Sequence, residues 1–353
     1  MQDVIGGQGD PQRFSAFLAN WQSILARRVD EAVTGIAAID GVRGLILAGG
    51  IGRGAPWPLS DIDLIPIYAA GQVDASTATI EHLRAGLLAR WIDEGWWTGI
   101  DIGRLAFTTA EVTNTLSAST DNIPDLLADD RWYHSIDKAY GGRVVHDPDF
   151  LATPLANWLT THRFDPAVVR LRLDHSRAEL DAARHSWDMS LAQPDTYRAT
   201  LALHAVVKWL RILLLESWGE RDTSLARIGT RFDHLASERD QAGIATSANA
   251  LCDLDDAAVS RRMAVAPAWV HERHDRSLRA RHLIGERISR TEDARDVLRV
   301  CTQYELRATT TAPFPAWLAV PSHVNMLTAK AIQLDTLIDR HATGSDPSKD
   351  LAG

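Results

Sequence analysis

The stretch from Gly44 to Tyr68 constrains the fold more than any other part of this 353-residue chain, and it reads GLILAGGIGRGAPWPLSDIDLIPIY. An apolar run from Leu45 to Ala48 ends in two glycines, and a second apolar run carries Asp61 and Asp63. This pattern predicts a strand, a glycine turn, a short loop and a second strand. Because successive side chains of a strand point to opposite faces, we expect Asp61 and Asp63 on the same face.

This pair of carboxylates has a chemical consequence. Two carboxylates held close together on one strand repel each other, and a cation between them removes the repulsion. Hard oxygen ligands suit Mg²⁺, which also keeps the phosphates of a substrate as ligands. The glycines before the loop let the backbone approach an anion and direct N–H groups at it. The stretch therefore predicts a site for Mg²⁺ and a phosphate-bearing ligand.

The same residues resemble a known superfamily. Ala48-Gly49-Gly50 followed by Ser60-Asp61-Ile62-Asp63-Leu64 resembles the signature of the nucleotidyltransferases that share the polymerase β catalytic core. Within that superfamily, Gly-Gly-Ile-Gly-Arg-Gly and Pro-Leu-Ser-Asp-Ile-Asp-Leu are most similar to the PII-protein uridylyltransferases. The resemblance covers residues 44–111 well and 138–148 modestly. In the second half the resemblance is limited to size and helical character, which are similar to those of antibiotic nucleotidyltransferases. The alternative interpretation is an acidic β-hairpin on the surface.

A third carboxylate comes from the next predicted strand, residues 98–109. Asp101 lies between Ile100 and Ile102 there, and a lone carboxylate in an apolar strand needs a reason. The resemblance implies that a third metal ligand comes from the strand adjacent to Asp63, so Asp101 is the predicted ligand. The alternatives are a strand charge that faces solvent, or Asp93 and Glu94 at a helix end.

The resemblance implies transfer of a nucleoside monophosphate from an NTP, with two Mg²⁺ ions held by Asp61, Asp63 and Asp101. It also implies a set of residues that bind the triphosphate. These are Gly49 and Gly50 through their backbone, Arg53 and Ser60 through their side chains, and Lys208 from the second half. A separate general base stays undecided between Asp101, Glu179 and Glu216.

Composition limits the partners and the location. The net charge of −9 argues against a general nucleic-acid binder, which usually has a basic surface. Cys252 and Cys301 are too few for a disulfide framework and fit a reducing cytoplasm. The first ten residues lack the features of a signal peptide, and the most apolar helix, from Leu201 to Trp218, contains charged residues. We therefore expect a cytoplasmic protein without a membrane partner.

The predicted secondary structure changes near residue 150. Strand signals end there, and Ala, Leu and Arg at helical spacing dominate afterwards. We expect an α+β fold: a mixed sheet of the polymerase β type with flanking helices, followed by an all-α bundle. The predicted domains are a catalytic domain at 1–150 and a helical substrate-binding domain at 151–353. The helices and irregular segments predicted are a disordered leader at 1–10, helices at 11–39, 76–94 and 122–133, a linker at 151–164, helices at 165–187, 195–218, 223–240, 246–270, 271–290, 291–306 and 322–342, and a disordered tail after Gly344.

One departure from the uridylyltransferases narrows the function. That family continues into a phosphohydrolase domain with a paired His-Asp motif and then into regulatory domains. Here His146-Asp147 lies on a predicted strand, and His274-Asp275 is interpreted as a solvated pair. We therefore expect a stand-alone transferase that acts on a hydroxyl of a small molecule, of the antibiotic or natural-product type. The alternatives are nucleotidylylation of a protein or tRNA, and a non-catalytic nucleotide-binding module.

Overall fold

The computed structural model describes residues 11–94, 96, 98–118, 122–193, 195–221, 226–309 and 311–341. The predicted leader at 1–10 and the predicted tail after Gly344 lie outside these residues. The described chain groups into two compact units. The first runs to Leu171 and includes Ala280–Glu286, and the second comprises Arg172–Arg279 and the residues from Arg287 onward.

The first unit contains a small mixed sheet. Its strands are β1 (Val42–Leu47), β2 (Ile62–Tyr68), β3 (Ile100–Ile102), β4 (Phe107–Thr108) and β5 (Arg143–His146). The order is β3-β2-β1-β5, and β4 also pairs with β2. Strand β1 is antiparallel to β2 and to β5, whereas β3 and β4 run parallel to β2. The predicted strand at 98–109 is thus two short strands, and the interruption begins at Gly103, whose φ is +101°.

Within the described residues of the first half, eight helices precede, separate or follow these strands along the chain. They are α1 (Pro11–Ala19), α2 (Trp21–Ala37), α3 (Gly49–Gly52), α4 (Val73–Asp93), α5 (Thr109–Ser117), α6 (Ile123–Leu127), α7 (Asp130–Lys138) and α8 (Ala152–His162). One apolar core lies against the sheet. It joins Ile46 and Ile65 of the strands to Ile136 of α7 and Leu155 of α8.

The described residues after α8 contain helices and a short 3₁₀ turn at Ala316–Leu318. The helices are α9 (Pro166–Leu191), α10 (Thr196–Ser217), α11 (Ile228–Glu238), α12 (Ala242–Leu251), α13 (Asp256–Ala264), α14 (Ala268–Leu283), α15 (Arg290–Ala308) and α16 (Asn325–His341). The described residues thus form a small mixed sheet in a mostly helical chain, which agrees with the predicted α+β class.

The predicted linker at 151–164 was wrong, because helix α8 occupies it. Ala152, Leu155, Ala156 and Leu159 are buried in the core against the sheet. Their spacing of three and four residues is that of an apolar helix face. Pro154 lies in the first turn of the helix, where a missing N–H is tolerated.

Several predicted helices have other boundaries in the structure, among them those at 11–39, 76–94 and 246–270. The helix at 11–39 is broken at Asn20 into α1 and α2. The helix predicted to begin at Ser76 begins at Val73, and the Ser76 hydroxyl donates to the Asp40 carbonyl (2.9 Å) instead of capping the helix. The helix at 246–270 divides because the Asp255 carboxylate caps a new helix by accepting from the Ala258 amide.

Helix 122–133 also divides, into α6 and α7. The second helix begins where Asp129 caps α7 by accepting from the Arg131 amide (2.8 Å). Within the described residues, none of the helices combines the length and the apolar content that a membrane crossing needs.

Candidate active site

Two of the three predicted carboxylates lie side by side on neighbouring strands. Asp63 of β2 and Asp101 of β3 are direct partners in the parallel ladder. The Asp63 side chain is 13% exposed and that of Asp101 is 52% exposed. Ile100 and Ile102, on either side of Asp101, are buried. The alternation of the strands therefore places both carboxylates on one face, where like charges would repel each other.

The turn after β1 leaves room for one of these carboxylates. Gly49 begins the short helix α3 and has a φ of +63°, a value that residues with a side chain rarely adopt. A Cβ on Gly49 would lie 1.7 Å from Asp63 Oδ2. The amide of Ala48, just before it, donates to the Asp63 carbonyl (2.8 Å). The glycine turn and the acidic strand therefore form one packed unit.

Ser60 and Asp61 precede β2. The buried Ser60 hydroxyl accepts from the Trp57 amide (2.9 Å), and the Ser60 amide donates to the Trp57 carbonyl (3.0 Å). These two bonds hold the loop from Trp57 to Ser60. Asp61 is exposed and lies just before β2 rather than on the strand that carries Asp63, and its charge adds to the attraction on Lys138.

A lysine that the sequence reasoning did not select lies between the carboxylates. Lys138 Nζ is 2.8 Å from Asp63 Oδ1 and 3.6 Å from Asp101 Oδ2. Lys138 is the last residue of α7, and its side chain is 36% exposed. The acidic pair therefore has an internal counter-cation.

Contacts at both ends of α7 fix the position of this lysine. At the N-terminal end, the Arg131 guanidinium pairs with Glu111 and Asp129, each at 2.7 Å. At the C-terminal end, Asp137 accepts from Nε of the fully buried Arg163 (2.7 Å). The helix that carries Lys138 is thus anchored independently of the acidic site.

The sequence holds a weak signal for Lys138. Lysine is rare here, with Lys138, Lys208, Lys330 and Lys349 against a large excess of arginine. Lys138 also comes just before β5, which pairs with β1. The pairing of β5 with β1 explains why the end of α7 lies near the glycine turn, and that pairing is not readable from local patterns.

The electrostatics of the pair follow from burial and attraction. Burial raises the pKa of the Asp63 carboxyl, and the attraction and hydrogen bond of Lys138 offset only part of that rise. Burial acts to lower the pKa of the Lys138 ammonium, but attraction to Asp63, with smaller contributions from Asp101 and Asp61, raises it above its ordinary value. Ionisation of the acidic group is therefore coupled to a nearby cation.

Arg53 also lies next to this site. Its guanidinium donates to the Lys138 carbonyl (3.4 Å), and its charge acts to lower the pKa of Asp63. Its side chain packs beside Gly141, where an added Cβ would lie 3.3 Å from Arg53 Cγ. Arg53 therefore places a second positive charge at the rim of the carboxylates.

The donor set fits a hard divalent cation in chemistry but is not arranged as a finished metal site. In the part of the chain that the structure describes, no three His, Cys, Asp or Glu side chains lie close enough together to hold a metal ion. Asp63 and Asp101 converge on an ammonium instead. Carboxylate oxygens are nonetheless the ligands that Mg²⁺ prefers, and Asp63 and Asp101 present them from adjacent strands.

The remaining candidates lie in the helical half. Lys208 of α10 is exposed, with Nζ 4.6 Å from the ring centroid of Trp209. Glu216 is buried and pairs with the buried Arg172 through contacts of 2.8 and 2.7 Å. We assign Glu216 a structural role, since its carboxylate is held by a guanidinium. Glu179 is partly buried on α9.

Both His-Asp pairs have structural surroundings. Asp147 accepts from the amides of Leu151, Ala152 and Thr153 at 2.7 to 2.9 Å and so caps α8. His274, interpreted as half of a solvated pair, is buried, which corrects that prediction. Its Nε2 lies 3.0 Å from the Arg290 carbonyl oxygen, and burial lowers its pKa.

Comparison with known proteins yields no assignment. No protein-family model matches the chain, and no curated protein matches it in sequence.

Proposed function

We propose that this chain is a Mg²⁺-dependent nucleotidyltransferase with a polymerase β-type core. It would transfer a nucleoside monophosphate from an NTP to a hydroxyl of a small molecule and release pyrophosphate. The observation that carries the proposal is the register of Asp63 with Asp101 beside the Gly49 turn, around a positive group. The motif Gly49-Gly50 and Asp61-Ile62-Asp63 supports it independently.

Asp61, Asp63 and Asp101 would hold the metal. Two bound Mg²⁺ ions would supply neutralisation of the leaving pyrophosphate and a lowered pKa of the attacking hydroxyl. The protein's part is to fix the ligands, because positioning and electrostatics carry most of the rate in phosphoryl-type transfer. Asp63 and Asp101 meet this need, since each belongs to a strand of the same sheet.

The triphosphate would bind on the glycine side of the carboxylates. Arg53 has forked donors suited to phosphate oxygens, and its guanidinium already lies beside Lys138. Gly49 and Gly50 would offer backbone N–H groups, and Ser60 a hydroxyl that can donate while its oxygen accepts from Trp57.

A small acceptor is favoured over a macromolecular one. The net charge of −9 gives no general basis for holding tRNA, whose phosphates need a basic surface. Transfer to a protein or tRNA is the second candidate function, and the class of the labelled product distinguishes it from transfer to a small molecule.

The test is incubation of the protein with each α-labelled NTP, Mg²⁺, and one acceptor class at a time. The acceptor classes are a panel of hydroxylated small molecules including aminoglycosides, cell protein, and tRNA. Label in a small-molecule product supports the proposal. Label found only in protein or tRNA would show that the acceptor is that macromolecule and not a small molecule. Absence of Mg²⁺-dependent transfer to any acceptor overturns the proposed function.

Two variants and a matched control sharpen the test. Asp63→Asn and Asp101→Asn should each lower kcat by about a hundredfold or more, the usual cost of losing a charge-stabilising group. Asp30→Asn makes the same carboxylate-to-amide change at an exposed position on α2 and should leave kcat unchanged. Full turnover in Asp63→Asn would contradict the proposed mechanism.

A further inference from the structure

The acidic site contains its own cation. Lys138 Nζ contacts one oxygen of Asp63 at 2.8 Å and approaches Asp101 at 3.6 Å. Asp61 adds a further attraction to the same ammonium. The Lys138 ammonium is therefore attracted to all three carboxylates that the proposed function assigns to metal.

We propose that Lys138 is a built-in counter-cation that exchanges with the divalent metal. In the metal-free protein its ammonium neutralises Asp63 and Asp101, and metal binding requires that Nζ leave Asp63 Oδ1. This inference rests on the proposed function in one respect, because it takes Asp63 and Asp101 as metal ligands. It adds a means of regulating that same site.

Two cations that share one carboxylate oxygen repel each other. Mg²⁺ takes carboxylate oxygens at about 2.0–2.1 Å. If Asp63 Oδ1 bound the metal and kept its 2.8 Å contact with Lys138, the two cations would lie no more than about 5 Å apart. Their repulsion, in a place where Asp63 is largely buried, favours one cation over both.

The lysine side chain is able to leave without unfolding its helix. It is 36% exposed, and it ends α7, so its flexible stem has solvent to enter. The helix itself is held by Arg131 at one end and by the Asp137–Arg163 pair at the other. Exchange therefore needs a rotamer change of one side chain, while Asp63 stays on its strand.

The exchange also explains how the acidic face is stable without metal. Asp63 and Asp101 are direct strand partners, an arrangement that costs stability when both are ionised and unpaired. The ammonium of Lys138 relieves that repulsion. The consequence is a lowered affinity of the free protein for a divalent ion, because the metal must displace a bound cation.

The first test measures Mn²⁺ binding by electron paramagnetic resonance in the absence of nucleotide. Lys138→Met should bind Mn²⁺ at least about fivefold more tightly than the unsubstituted protein, the lower end of typical coupling between two ligands. Lys330→Met is the matched control, since it removes the same charge from a 2.6 Å pair with Asp253 in the second unit. It should leave Mn²⁺ affinity unchanged.

A conservative variant guards against a folding effect. Lys138→Arg keeps a cation beside Asp63 and should bind Mn²⁺ no more tightly than the unsubstituted protein. Equal affinity of Lys138→Met and unsubstituted protein, or Mn²⁺ binding by neither, overturns the exchange. So does a gain in affinity that Lys330→Met or Lys138→Arg shares.

The second test follows the lysine itself in the unsubstituted protein. Reductive methylation, read by peptide mass spectrometry, should label Lys138 faster when Mg²⁺ is added, with Lys330 as the internal reference. An unchanged or slower rate at Lys138 overturns the displacement. Neither test includes an NTP or acceptor, so the exchange can fail while nucleotidyl transfer succeeds, and transfer can fail while the exchange is observed.

Discussion

Gly49 and Asp63 are packed so closely that a Cβ on the glycine would lie 1.7 Å from the Oδ2 atom of the carboxylate. Gly49 also has a φ of +63°. The glycine turn thus does more than expose backbone to a ligand: it makes the space in which Asp63 lies. The motif residues before and after the loop depend on each other.

This dependence predicts the effect of Gly49→Ala. The methyl group should push the Asp63 carboxylate out of register with Asp101, and a displacement of about 1 Å at a reacting centre can cost about a hundredfold in rate. The strained backbone should also lower the free energy of unfolding by about 1–3 kcal/mol. Labelled-NTP turnover and urea denaturation measure the two effects.

Gly86→Ala is the control for that substitution. Gly86 lies inside α4, and a Cβ there would meet no atom within 4 Å. The change should leave turnover intact and raise the free energy of unfolding by about 0.5–1 kcal/mol, as alanine does in a helix. Unaltered turnover and stability in Gly49→Ala would refute the packing argument.

A second prediction concerns the anchor of α7. Asp137→Ala removes the carboxylate that accepts from the fully buried Arg163. Breaking a buried ion pair costs about 3–5 kcal/mol. Urea denaturation should show this loss, whereas Asp125→Ala, at an exposed position on α6, should change the free energy of unfolding little. Equal curves for the two variants would contradict the assignment of Asp137 as an anchor.

The sequence predicts the part of the site that depends on local pattern. The apolar run into Gly49, the alternation around Asp63 and the isolated carboxylate Asp101 are each visible within a few residues. Strand periodicity then fixes which face each side chain takes. For this reason the placement of Asp63 and Asp101 follows from the sequence and one assumption, that their strands are neighbours.

The sequence does not predict what the tertiary fold brings to these carboxylates. Lys138 is distant from Asp63 in the chain and reaches it because β5 pairs with β1. Helix α8 was not predicted for a related reason. Its apolar residues pack against the sheet, and that contact is not visible in the local sequence. The burial of Glu216 depends likewise on Arg172.

That ion pair gives a third prediction. Glu216→Gln should lower the free energy of unfolding by about 3–5 kcal/mol, because it breaks a buried ion pair with the Arg172 guanidinium. The kcat of the folded variant should not change, whereas loss of a general base would reduce kcat by about 10²–10⁴-fold. Glu238→Gln, an exposed glutamate on α11, should alter neither quantity. A large fall in kcat for Glu216→Gln would restore it as a candidate base.

The fourth prediction is a pH dependence set by His204. Burial, with the nearby positive charges of Arg262, Lys330, Arg211 and Arg299, lowers the pKa of this imidazole to about 3. In the unfolded chain the imidazole takes up its proton near pH 6.5, whereas in the folded protein it does so only near pH 3. The unfolded state therefore binds more protons between these values, and the folded protein loses stability as the pH falls from about 6.5 toward 3.

Urea denaturation at pH 7 and pH 5 isolates this contribution. His204→Phe keeps an aromatic ring of similar size but cannot take up a proton, so the loss of stability between the two pH values should be smaller by about 2 kcal/mol than in the unsubstituted protein, since each pH unit below the unfolded pKa contributes about 1.4 kcal/mol. His82→Phe makes the same change at an exposed position on α4 and should leave the pH dependence close to that of the unsubstituted protein. Because the comparison is between slopes, a uniform loss of packing in His204→Phe does not affect it. Identical slopes for His204→Phe and the unsubstituted protein would show that the imidazole is protonated in the folded state as readily as in the unfolded one.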